Sequence, residues 1–124
     1  MKIRIKGDSI RIRLTKTEVA KFGSEGHLEE KTNFATGAFT YILKSSEAIN
    51  ELSAGIEGAT VTMYVPAAMT KEWTTTDIVG YNNNMPLGNG NSLFLLLEKD
   101  FKCIDGEVLE DQSDNYENPL HSCE

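Results

Sequence analysis

Five cations at alternating positions are the residues of this chain best placed to do chemistry. Lys2, Arg4, Lys6, Arg11 and Arg13 alternate with Ile3, Ile5, Ile10, Ile12 and Leu14 on the two sides of Gly7-Asp8-Ser9. A strand has a side-chain period of two, so the spacing predicts a hairpin with one dry face and one basic face. Guanidinium groups bind phosphate or carboxylate through paired N–H donors, so the expected ligand is a small anion or an acidic protein segment. The plainer alternative is neutralisation within the chain, by Glu29, by Glu30 or by the acidic tail, since most surface charge contributes little on its own.

Other constellations carry less. Cys103, His121 and Cys123 could supply three ligands to a soft metal, but no fourth is evident and there is no C-x-x-C pair. Plain thiols are the simpler reading of two cysteines in a reducing compartment. Oxygen ligands in Asp111-Gln112-Ser113-Asp114-Asn115 lack the glycine and the spacing of an EF-hand loop. No nucleophile motif and no phosphate-binding loop is present, and no cofactor is implied. An enzyme acting on a small phosphorylated or carboxylated molecule is the second hypothesis. It would use Arg4, Arg11 and Arg13 as clamps and Glu29 or Asp111 as general base. A structural homodimer built through strand edges is the third.

The bulk numbers narrow the field. The chain has 124 residues, 40% of them hydrophobic, and a net charge of −7. That size suits one domain with its own core. The acidic balance argues against a general nucleic-acid or anionic-membrane binder. No apolar run approaches the roughly 18 residues that span a bilayer. No secretory leader is expected, and the compartment expected is the cytoplasm. Charge is segregated: residues 1–32 hold eight of the twelve cations, and Glu98 to Glu124 hold nine acids against two lysines.

The elements that must position these residues occur in two sets. A shift of 51 residues lays Ile3, Ile5 and Gly7 over Ala54, Ile56 and Gly58. It also lays Ile10, Ile12, Leu14 and Phe22 over Val61, Met63, Val65 and Trp73. We read two ββαββ repeats, near 1–48 and 50–100, followed by an irregular acidic tail at 101–124. In the first, strands are expected near 1–7, 9–14, 27–34 and 38–45. A capping box at Thr15-Lys16-Thr17-Glu18 opens a helix near 16–23, which Gly23 or Gly26 ends. In the second, strands are expected near 50–57, 59–65, 77–82 and 91–99. Pro66 takes the first helical position, Met69 and Trp73 share a helix face, and 82–91 is a polar loop. The fold class is therefore α+β, mainly antiparallel, arranged as a curved sheet or a partly closed eight-stranded barrel.

Met1-Lys2-Ile3-Arg4-Ile5-Lys6-Gly7, with Ser9-Ile10-Arg11 and Leu14-Thr15, resembles a family of small uncharacterised bacterial proteins. So does Glu98-Lys99-Asp100-Phe101-Lys102-Cys103, followed by Glu110-Asp111-Gln112-Ser113-Asp114 and Asn118-Pro119. The resemblance implies a free-standing domain of unknown function and carries over no functional residue.

Overall fold

In each of the four hairpins of this chain the second strand carries the core residues more fully than the first. The computed structural model describes residues 1–100. Its hairpins are β1 (Lys2–Ile5) with β2 (Ser9–Leu14), β3 (His27–Phe34) with β4 (Gly37–Ser46), β5 (Ser53–Glu57) with β6 (Thr60–Pro66), and β7 (Gly80–Pro86) with β8 (Ser92–Lys99). Helix α1 (Lys16–Glu25) follows β2 and helix α2 (Ala67–Thr75) follows β6.

The hairpins assemble into two four-stranded sheets, ordered β1-β2-β8-β7 and β3-β4-β6-β5. The expected curved, mainly antiparallel sheet or partly closed eight-stranded barrel is not what forms. Both sheets are mixed, with β2 parallel to β8 and β4 parallel to β6. The physical reason is burial. Placing the strand richer in core residues at the centre of its sheet covers it on both edges and leaves the other strand of the hairpin outside. A hairpin whose core face and inner strand are both fixed has one orientation left in the plane of the sheet, and here that orientation makes the inner strands parallel.

Among the described residues the polar edges of the two sheets meet through side chains rather than a backbone ladder. On one side the amino group of Met1 contacts Glu18, and lies 2.7 Å from Glu30 Oε2 on β3. Glu18 also closes the capping box, accepting from the Thr15 N–H at 2.9 Å. Burial alone would raise the Glu18 pKa, but the bonds from Met1 and Thr15 outweigh it and hold the carboxyl below its ordinary value. On the other side Asn83 Nδ2 donates to the Leu52 carbonyl at 2.8 Å, and Met85 Sδ accepts from the Ala54 N–H at 3.4 Å.

Both helices lie where β2, β4, β6 and β8 finish, and the four hairpin turns lie at the opposite end. Phe22 and Trp73 meet edge to face with centroids 6.5 Å apart, which pins α1 to α2. Burial follows this polarity. Leu14, Leu43, Val65 and Leu97, near the helices, are fully covered, whereas Ile5, Phe34 and Ile56, near the turns, are 52%, 62% and 71% exposed. One hydrophobic cluster draws on both sheets and both helices.

Several local expectations shift. Helix α1 runs through Gly23 and ends at Gly26, whose φ of 68° is the left-handed geometry of a C-cap. Gly23 serves as a contact point instead, since a Cβ there would lie 2.9 Å from Thr74 Cβ. Pro66 closes β6 and caps α2 rather than opening the helix. The buried face of α2 is Thr70 and Trp73, with Met69 only partly covered. At the end of α2 the hydroxyls of Thr74, Thr75 and Thr76 donate to the carbonyls of Thr70, Lys71 and Glu72. Asn82 to Pro86 form strand, not loop. Tyr81, Asn83 and Met85 share the core-facing side of β7, and pairing with β8 overrides the turn-rich composition.

Gly80 approaches the neighbouring strand so closely that a Cβ would lie 2.1 Å from the Leu97 carbonyl oxygen, while Gly55 has nothing within 4 Å. Gly80→Ala is therefore expected to destabilise by about 2–3 kcal/mol, as forced overpacking does. Gly55→Ala should change stability by about 0.5 kcal/mol or less. Urea unfolding midpoints check both, and equal effects would contradict the close approach at Gly80.

Candidate anion site on the first hairpin

The site begins with the alternation of β1 and β2. Ile10, Ile12 and Leu14 are buried, and Ile3 packs against the same core. Their neighbours must point outward, so all five cations project from the outer face of one sheet. Arg4 pairs directly across from Arg11, and Lys2 across from Arg13. Like charges opposite one another destabilise a hairpin unless something neutral or negative intervenes.

Part of the compensation comes from the neighbouring strand. The register sets Arg13 beside Glu98 and Arg11 beside Leu96. Arg13 Nε lies 3.4 Å from Glu98 Oε1, and Arg11 Nε lies 3.8 Å from Glu98 Oε2. The Arg13 Nε is buried and makes no hydrogen bond, so its contact with Glu98 is ionic only. Lys2 Nζ lies 3.0 Å from Asp100 Oδ2, although the Lys2 side chain is 71% exposed. Neutralisation within the chain is seen for Lys2 and Arg13, through Asp100 and Glu98 rather than through Glu29 or Glu30, and the acidic tail at 101–124 lies outside the described residues.

Three of the cations border a pocket. Arg4, Lys6, Ser9, Ile10, Arg11 and Phe94 line a cavity of about 250 Å³. Each side of it has a structural cause. Gly7, at φ 53°, turns the hairpin tightly enough to bring Lys6 back beside Ser9, with the Lys6 N–H donating to the Ser9 carbonyl at 3.1 Å. Phe94 arrives from β8, as the register partner of Ser9. Arg4 and Arg11 also make further interactions of their own.

Other candidate residues do not join this site. Glu29 pairs with Ile42 on the second sheet and sits 3.5 Å from His27 Nε2. It alternates with core-facing Leu28, so it points away from that sheet's inner side and cannot act as a base toward Arg4 and Arg11. Asp111, Cys103, His121 and Cys123 lie outside the described residues. Among the described residues no group of three His, Cys, Asp or Glu side chains is placed to hold a metal.

Sequence reasoning did not find Phe94, Ser9, Glu98 or Asp100 as parts of the basic face. The signal that places them is the parallel pairing of β2 with β8, and strands separated by 77 residues carry no local mark of that pairing.

A mixed β-rich α+β domain with a cationic outer face is the class these observations define. The chain belongs to a family described as a family of unknown function, DUF7009, which matches residues 1–120. No curated protein and no solved structure matches it. Among the described residues no helix is long and apolar enough to cross a membrane.

Glu98 stands between two arginines, so its charge should matter at low ionic strength. Glu98→Gln is expected to cost about 1–2 kcal/mol there, between the values for exposed and buried pairs. The loss should shrink as salt screens the half-buried Arg11 and Arg13 charge. Thermal unfolding across a salt series measures this; an unaltered melting temperature at low salt would show that Glu98 does not hold the pair.

Proposed function

We propose that this chain is a small non-catalytic binding domain whose ligand is an anion held on the outer face of the first hairpin. The observation that carries the reading is the pocket bordered by Arg4, Lys6 and Arg11, with a hydroxyl from Ser9 at its edge. Three cations around one cavity match the charge and donor geometry of a phosphate or carboxylate group. Glu98 and Asp100 lie against Lys2, Arg11 and Arg13 at one side of this face.

The reading treats the two halves as an internal repeat in which only the first half carries the cations. Ile3 pairs with Ile12, and Ala54 pairs with Met63, at the same 51-residue offset. Val19 and Phe22 are the buried residues of α1, and Thr70 and Trp73, again offset by 51, are those of α2. Ser53, Gly55, Glu57, Thr62 and Tyr64 occupy the positions of the five cations. The scaffold does not need the positive charge, so the charge has another use. A bacterial cytoplasmic setting and a single-domain monomer or homodimer belong to this reading, supported by the resemblance at both ends of the chain.

A second reading is favoured by one observation. Glu98 and Asp100 already lie against Arg13 and Lys2, so the chain's own acidic segment competes for the face. One experiment separates the two. Inorganic phosphate should raise the melting temperature of the native chain in a saturable way, as any ligand of the folded state does. Arg4→Gln combined with Arg11→Gln should abolish that rise, and Lys2→Gln should preserve it. No saturable rise, or one indifferent to the Arg4 and Arg11 changes, would leave the internal reading in possession.

A further inference from the structure

Strand β8, Ser92-Leu93-Phe94-Leu95-Leu96-Leu97-Glu98-Lys99, is apolar on both faces. Leu95 and Leu97 are fully buried on the core side. Phe94 and Leu96 project from the opposite side and are half-buried. A strand with one solvent-facing side would alternate apolar and polar residues, so Phe94 and Leu96 form an apolar platform that the core does not require.

The register shows what surrounds that platform. Phe94 is flanked by Ser9 on β2 and by Asn84 on β7. Leu96 is flanked by Arg11 and by Asn82, with Arg4 beyond Arg11. Asn82 and Asn84 alternate with the core-facing Asn83 and are exposed. Read across the outer face, the order is cations, then an aromatic and an aliphatic surface, then primary amides. From β1 to β7 this crosses three strand spacings, about 14 Å.

Each zone selects a different chemical group. The cations take a phosphate. Phe94, which also lines the cationic pocket, is an aromatic partner for a stacked base. The amides of Asn82 and Asn84 each offer a donor pair and an acceptor, the complement of a base edge. An aliphatic carboxylate would satisfy the first zone and leave the amides unused. A long polyanion conflicts with the net charge of −7.

We infer that the ligand of this face is a planar aromatic anion, a nucleoside monophosphate in class. Its phosphate sits at Arg4, Lys6 and Arg11, its ring on Phe94, and its base edge toward Asn82 and Asn84. This rests on the anion reading above and goes beyond it, because phosphate alone would not use Phe94 or the asparagines. No covalent step is involved.

Calorimetric titration of the full chain with adenosine 5′-monophosphate, with inorganic phosphate and with adenosine tests it. The monophosphate should bind about tenfold more tightly than phosphate, the scale of one base stacked on one aromatic ring. Phe94→Leu keeps the apolar volume and should erase that advantage, so that the variant binds monophosphate and phosphate equally. Asn82→Ala with Asn84→Ala, at exposed positions, should erase part of it. Equal binding of phosphate and monophosphate, or an advantage that survives Phe94→Leu, overturns the aromatic assignment and leaves the anion site standing. Binding of neither anion overturns both readings.

Discussion

The architecture depends on one asymmetry: in each of the four hairpins the second strand is buried more deeply than the first. Burial then puts β2, β4, β6 and β8 at the sheet centres and β1, β3, β5 and β7 at the edges. Each central strand next to another hairpin's central strand fixes the parallel pairs. The helices that follow β2 and β6 fall at the same end, where Phe22 and Trp73 seal the core. The basic face, the pocket and the apolar platform are consequences of the same arrangement, since β8 reaches Arg11 and Arg13 only because both strands are central.

The sequence disclosed what is local and withheld what is not. Alternating Ile and Arg in β2, the Thr15–Glu18 box, and the turn glycines Gly7 and Gly58 each report on a few neighbouring residues, and the strands and helices they mark are where they were expected. That Arg4 and Arg11 share a face was legible for the same reason: period two and a tight turn leave no other arrangement. The parallel pairing was not legible, because a hairpin's composition does not say which neighbour its inner strand will meet. Asn82-Asn83-Asn84 misled because asparagine favours turns locally, whereas here the fit of Asn83 to the Leu52 carbonyl and the apolar partners on β8 decide. The counter-ions were half legible. The acidic segment could be seen to oppose the basic head, but not that Glu98 and Asp100 would be the residues to reach it.

An acidic protein with a concentrated basic patch gains selectivity by that contrast. Its overall field repels long polyanions, while a small anion that comes within about a Debye length, roughly 8 Å at physiological salt, is drawn to the local cations. Glu98 tunes this patch. Its carboxylate lies 3.8 Å from Arg11 Nε and 3.4 Å from Arg13 Nε and relieves the repulsion between them. The outer face of the first sheet therefore has a charged end and an amide end, joined by Phe94 and Leu96, and that polarity gives a bound molecule a direction.

The central claim is that Arg4 and Arg11 act together on a small anion while Arg13 remains with Glu98. Its most direct measurement is a nuclear magnetic resonance titration with inorganic phosphate that follows the guanidinium Nε–H signals individually. The account predicts saturable shifts at Arg4 and Arg11, with Arg13 nearly still. Non-saturable drift of all three alike, or saturation at Arg13 alone, would contradict it.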